Sequence, residues 1–124
     1  ILIVEDDKDF LWILKQSFNN KDFAVSYAEN GEDGLIMALK EKPDLIMIDI
    51  LMPKMNGIEM AKKLLKEKGF KSLMIFLTNL KDENHISQVM EITGGADYIV
   101  KSDVSVSSIV ERVKTKLGIE NNNL

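Results

Sequence analysis

Three short stretches of this chain are apolar at every position: ILIV at 1–4, LIMI at 45–48 and LMIFL at 73–77. A strand with one face in water alternates apolar and polar residues. A continuous apolar run instead needs cover on both faces, as the strands of a parallel sheet have when helices pack on each side. Runs at 23–28 (FAVSYA) and 98–100 (YIV) complete a set of five. FAVSYA is partly polar and suits an edge strand. Amphipathic stretches lie between the runs. Phe10, Ile13, Leu14, Ser17 and Phe18 share one helical face. Leu35, Ala38 and Leu39 share another, with Asn30 as N-cap. Ile58, Ala61, Leu64 and Leu65 follow, then Ile86, Val89 and Met90, then Val106, Ile109, Val110, Val113 and Leu117. Five strands alternating with five helices predict an α/β fold, a doubly wound parallel sheet with right-handed crossovers.

The length of 124 residues suits one such domain, expected over 1–118, with 119–124 as a polar tail or the start of a linker. The chain has no cysteine, which excludes disulfides, zinc-thiolate sites and thiol chemistry and fits a reducing cytoplasm. The formal net charge of -4 argues against nucleic-acid binding through a general basic field. No apolar run reaches the length of a membrane span.

In an open parallel sheet, ligands bind beyond the carboxyl ends of the strands. The chemistry-bearing residues of this chain gather at those ends. Glu5, Asp6 and Asp7 follow the first run, Asp49 ends the third, Thr78 follows the fourth and Lys101 ends the fifth. Taken singly, each has an ordinary reading. An acidic triplet suits a helix N-terminus, Asp49 could be a structural cap, and Thr78 and Lys101 could be surface residues. Their joint placement is what points to chemistry. Three carboxylates crowded together are costly unless something neutralises them, and a hard divalent cation is the natural answer. Mg²⁺ takes oxygen ligands and is often held by one or two carboxylates plus a phosphate oxygen. Calcium fits less well, because no loop dense in oxygen ligands is present. Such a site would draw in a phosphoryl group, and a carboxylate could attack its phosphorus to form an acyl phosphate.

The segments ILIVEDD, LIMIDILMPKMNG, IFLTN and ADYIVK, in that order and at these separations, resemble the receiver domain of two-component response regulators. The resemblance covers nearly the whole chain. It implies a flavodoxin-like sheet of strand order 2-1-3-4-5 flanked by five helices. It also implies Mg²⁺-dependent transfer of a phosphoryl group from a sensor histidine kinase or phosphotransfer protein to an aspartate. The domain would be a switch that catalyses its own phosphorylation and dephosphorylation, not an enzyme acting on other substrates. Residue by residue, the resemblance implies Asp49 as acceptor, with Met52, Pro53 and Gly57 in register. Glu5, Asp6, Asp49 and the Leu51 carbonyl would be the metal ligands, Asp6 more directly than Glu5. Thr78 would be the switch hydroxyl, Lys101 the phosphoryl-contacting lysine and Tyr98 the aromatic that turns on activation. The signal would leave through the fourth helix, fifth strand and fifth helix, to a downstream effector or a homodimer.

The chain departs from the family pattern at a few positions. Ser102 stands where proline usually follows the lysine, so a trans bond is expected there; a cis bond without proline costs about 3 kcal/mol. Asn79 follows the switch hydroxyl where a small residue is usual. Leu51 and Leu80 occupy positions that tune dephosphorylation, and both are apolar. Three other classes compete: a degenerate receiver that never takes phosphate, a flavodoxin-like cofactor binder, and an aspartyl phosphohydrolase. The binder would need a phosphate cradle where this chain has EDD. The hydrolase would need a second Asp two residues beyond the nucleophile, where this chain has Leu51. His85, the single histidine, is read as solvated, the methionines as core filler, and Trp12 falls off the apolar stripe of its helix.

Overall fold

The computed structural model describes residues 1–19, 22–79, 83–94 and 97–119. Strands and helices alternate along the chain. The strands are β1 (Leu2–Val4), β2 (Ser26–Ala28), β3 (Leu45–Asp49), β4 (Leu73–Thr78) and β5 (Asp97–Val100). The helices are α1 (Lys8–Ser17), α2 (Gly31–Glu41), α3 (Gly57–Leu65), α4 (Glu83–Thr93) and α5 (Val106–Leu117). All pairings are parallel, and the sheet order is β2-β1-β3-β4-β5. The flavodoxin-like α/β expectation holds, with FAVSYA supplying an edge strand. Only Ser26–Ala28 of that run is strand.

The three continuously apolar runs are the three central strands, and each is covered on both faces. Alternate residues sort into two cores. Leu2, Val4, Ile46, Ile48, Met74 and Phe76 face Ala38 of α2, Met60 and Leu64 of α3, and Val89 of α4. Ile3, Leu45, Met47, Ile75, Leu77 and Ile99 face Leu11 and Leu14 of α1 and Ile109 and Val113 of α5. The helices thus divide three to one face and two to the other.

The expected helical faces hold in α5 and need correction elsewhere. In α1 the buried stripe is Leu11, Leu14 and Phe18, while Ile13 is exposed. The spacing of three and four runs through Leu11, so Ile13, one step of about 100° from Leu14, turns outward. Leu39, Leu65 and Met90 are likewise exposed. In α2 the buried positions beside Ala38 are Gly31 and Gly34. A Cβ on Gly34 would lie 2.8 Å from a Val4 methyl, so helix and strand touch backbone to side chain there. The cap expected at Asn30 is present, accepting from Asp33 N. After Leu117 the chain leaves α5 through Gly118 at φ 73, whose N–H reaches the Lys114 and Thr115 carbonyls. Residues 120–124 of the expected tail lie outside the described residues.

Candidate functional site

The carboxyl ends of β1, β3, β4 and β5 converge. Beyond Val4, Glu5 N still donates to Ala28 O at 3.0 Å, so Glu5 continues the line of β1 and is fully buried. Asp49 is the last residue of β3, paired in register with Leu77, and is 5% exposed. The alternation that sends Leu45 and Met47 toward α1 and α5 carries Asp49 to the same side. Asp6 is half-buried. Carboxylate oxygens of Glu5, Asp6 and Asp49 all lie within 4.8 Å of one another.

The third acidic residue of the triplet does something else. Asp7 is the N-cap of α1: its Oδ1 accepts from Asp9 N at 3.0 Å and from Phe10 N at 3.2 Å. The cap reading, one of two open for the whole triplet, is thus correct for Asp7. Asp7 N in turn donates to Glu5 Oε2 at 3.1 Å, which ties the helix start to the buried carboxylate.

Lys101 lies at the end of β5, where the chain enters one 3-10 turn over Lys101–Asp103. Its Nζ donates to Asp49 Oδ2 at 3.2 Å and forms an ion pair with Glu5 Oε1. The lysine side chain is only 6% exposed. Its ammonium group also lies over the ring of Phe10. Sequence spacing puts Phe10 on a helical face and gives no signal for this contact. The Lys101–Ser102 bond is trans, as expected; the described residues contain no cis peptide.

One cation cannot neutralise two buried carboxylates. Burial foremost, then the hydrogen bond and charge of Glu5, push the Asp49 carboxyl up to about 8, against the opposing pull of Lys101. Burial alone would lower Lys101, but the hydrogen bond and charge of Glu5 and the charge of Asp49 outweigh it and hold the ammonium above its ordinary value. Three carboxylates against one ammonium leave a donor set that is all-oxygen, acidic and two positive charges short, which fits a hard divalent cation. Leu51 follows in the β3–α3 loop, 46% exposed. That loop is closed by Gly57 N donating to Ile50 O at 2.9 Å and Met55 N donating to Pro53 O at 2.8 Å.

Thr78 ends β4 and is 1% exposed, opposite Val100 in register. Phe76 pairs with Tyr98, and both pack in the core beneath α3 and α4. Thr78 is two residues on from Phe76, so strand alternation puts Thr78 and Tyr98 on one side of the sheet, while Lys101 and Asp49 lean to the other. Tyr98 is half-buried. Asn79 and Ser102 are exposed, and Leu80 lies outside the described residues. His85, read as solvated, is half-buried on α4. Trp12 is 62% exposed. No helix among the described residues is long and apolar enough to cross a membrane.

Comparison with known proteins agrees with this geometry. Residues 1–114 match the family model for the response regulator receiver domain. Among curated relatives, the alkaline phosphatase synthesis transcriptional regulatory protein PhoP of Bacillus subtilis is 33% identical over 117 residues, covering 94% of this chain and 48% of that protein. Protein PilH of Pseudomonas aeruginosa is 32% identical over 101 residues, covering 82% of this chain and 84% of that one. The chain thus spans about half the length of the transcriptional regulator and most of PilH. Among solved structures, a CheY-like response regulator receiver domain protein from Methanospirillum hungatei superposes with a TM-score of 0.84 at 28% identity, covering 94% of this chain and 91% of that chain. The receiver domain of a Francisella response regulator gives 0.82 at 26% identity, covering 94% of each chain. The chain therefore belongs to the response regulator receiver domains, signal-transduction switches whose general function is to accept a phosphoryl group.

Proposed function

We propose that Asp49 accepts the phosphoryl group, in a Mg²⁺-dependent transfer from the phospho-histidine of a sensor histidine kinase or phosphotransfer protein. The observation that carries this reading is the convergence of Glu5, Asp6 and Asp49 within 4.8 Å, with Lys101 already paired to Asp49. Glu5, Asp6, Asp49 and the Leu51 carbonyl would hold the cation, whose charge would offset that of the carboxylates and of the incoming group. An Asp49 oxygen attacks phosphorus, the bond from phosphorus to the donor nitrogen breaks, and the imidazole leaves with that electron pair. Lys101 gives a point charge to the phosphoryl oxygens, and the Thr78 hydroxyl donates to one of them. The same groups serve hydrolysis: water attacks phosphorus, the bond from phosphorus to the Asp49 oxygen breaks, and inorganic phosphate leaves as Asp49 returns to its carboxylate.

The product carries nearly two negative charges and strong acceptor oxygens. Thr78 and Lys101 are drawn toward it, and room opens on the side of the sheet that Thr78 shares with Tyr98. The Tyr98 ring turns into that room, and the surface of α4, β5 and α5 changes for an effector or a second copy of the domain. This reading places the domain in the cytoplasm, in keeping with a chain that lacks cysteine.

The test is intact mass after incubation with Mg²⁺ and a small-molecule phosphodonor. One phosphoryl adduct is expected on the parent protein and none on Asp49→Asn. An unmodified parent would leave a protein-interaction module that never takes phosphate. Thr78→Ala should still take the group but fail to change the surface of α4, β5 and α5; full coupling in that variant would count against the switch.

A further inference from the structure

Among the described residues, three groups lie against the Lys101 ammonium group. Glu5 Oε1 and Asp49 Oδ2 are two of them. The third is the Phe10 ring, over which Nζ sits at 4.7 Å from the centroid. The lysine side chain is 6% exposed, so this contact is largely desolvated, the setting in which cation–π attraction is strongest.

The two sides of the contact differ in how firmly their own backbones hold them. Phe10 stands in the first turn of α1, and its N–H is bonded directly to the Asp7 cap. The helix start is tied again through Asp7 N to Glu5. The ring therefore projects from a fixed base. Lys101 projects from the junction of β5 and a 3-10 turn that has no side-chain cap and whose other residues, Ser102 and Asp103, are exposed. Four side-chain torsions lie between that junction and the ammonium group, so its reach is set by what surrounds it.

We infer that Phe10 is a positioning residue for Lys101: its ring face keeps the ammonium group over Asp49 while the carboxylates change partners. This rests on the reading of Asp49 as phosphoryl acceptor. When a cation and a phosphoryl group reach the site, Glu5 and Asp49 acquire other partners, and neither can go on anchoring the lysine as before. The ring ligates no metal and accepts no phosphoryl group, so it is the one neighbour whose hold does not change. An aliphatic residue of similar size would fill the same space, but it lacks the negative ring face that attracts the cation.

The experiment compares phosphorylation time courses by intact mass, with Mg²⁺ and acetyl phosphate as donor. The proteins are the parent, Phe10→Leu, Phe10→Tyr, Lys101→Ala and the Lys101→Ala/Phe10→Leu double variant. Phe10→Leu should slow phosphoryl uptake about five-fold, in keeping with one partly desolvated cation–π contact. Phe10→Tyr should restore the rate to within about two-fold, since the ring face is kept. In the Lys101→Ala background, Phe10→Leu should cause no further slowing. Independently of any phosphoryl transfer, the Lys101 ε-methylene protons should show an upfield ring-current shift in the NMR spectrum of the parent, lost in Phe10→Leu. Equal slowing in both backgrounds, no slowing, or failure of Phe10→Tyr to rescue would overturn the inference while leaving the acceptor reading intact. A parent protein that takes no phosphoryl group would overturn both. Should Phe10→Leu not fold, Phe10→Met takes its place, and unshifted ε-methylene protons in the parent overturn the inference without any variant.

Discussion

Gly57 packs directly beneath the backbone of Asp49: a Cβ built on Gly57 would stand 2.3 Å from the Asp49 carbonyl oxygen and 2.8 Å from an Ile48 side-chain carbon. Gly57 N also donates to Ile50 O at 2.9 Å, so α3 starts against the strand end that carries Asp49. The loop between them can close only if position 57 has no side chain. Gly57→Ala must therefore shift either the helix or the acidic strand end. We expect a loss of about 2–3 kcal/mol in denaturant unfolding, the range for forcing an atom into packed backbone. Phosphoryl uptake should fall with it. Leu65→Ala, at an exposed position of the same helix, should cost well under 1 kcal/mol.

The raised pKa of Asp49 predicts a specific pH dependence of stability. The carboxyl titrates near its ordinary 3.8 in the unfolded chain and at about 8 in the fold. Between those values the native state holds a proton that the unfolded state has released. Stability therefore falls as pH rises from about 4 to about 8, by up to about 1.4 kcal/mol per unit from this group, and levels off above the folded pKa. Asp49→Asn removes the carboxyl that takes up this proton on folding. It should raise the melting temperature at pH 7.5 in the absence of divalent cations, by about 1–3 kcal/mol of stability. The gap between variant and parent should close as pH is lowered to 4. A gap that stays constant with pH would show that the Asp49 carboxyl is ionised throughout.

The fold was legible because its strongest signals are physical necessities. Beyond their first residues, Ile1 and Leu73, ILIV, LIMI and LMIFL are apolar on both faces and read as central strands; the five-fold alternation pointed to a doubly wound parallel sheet, and the strand order 2-1-3-4-5 came only with the resemblance to the receiver family. Which residues reach the sheet edge followed from the same pattern, so Glu5, Asp6, Asp49, Thr78 and Lys101 could be named before any coordinates. What could not be read is what depends on contacts across elements. Asp7 differs from Asp6 only in being the residue that caps α1. Ile13, Leu39 and Leu65 are apolar residues that fit a helical face by spacing, yet lie beyond the arc the sheet covers. Gly34 carries no apolar signal, yet it is where α2 comes so near β1 that a Cβ would stand 2.8 Å from a Val4 methyl. The Phe10 ring meets Lys101 across 91 positions of sequence, a relation to which local periodicity is blind.

Lys54 sits in the β3–α3 loop at φ 69, in the left-handed region. A residue with a Cβ is disfavoured there by about 1 kcal/mol, whereas glycine is not. The Lys54 side chain is exposed. Lys54→Gly should therefore raise stability by about 0.5–1 kcal/mol in denaturant melts, with little change in phosphoryl uptake. A loss of stability instead would mean that the entropy of the unfolded glycine chain outweighs the relieved strain.

Leu51 bears on how long the phosphoryl group would stay. It follows Asp49 by two residues and is 46% exposed, apart from the core. Water must reach the acyl phosphate to attack it, and an apolar side chain two residues from the acceptor offers that water neither a hydrogen bond nor a fixed position. Leu51→Asn replaces the isobutyl group with an amide that can orient water through both a donor and an acceptor. The decay of the phosphorylated protein, followed by intact mass after removal of the donor, should be several-fold faster in the variant, while the initial rate of uptake stays close to the parent's. Because the substituted side chain is exposed, stability should change by no more than about 0.5 kcal/mol, so a faster decay would report on access of water and not on loosening of the fold. An unchanged decay rate would remove Leu51 as a determinant of lifetime and point to the residues that follow Thr78.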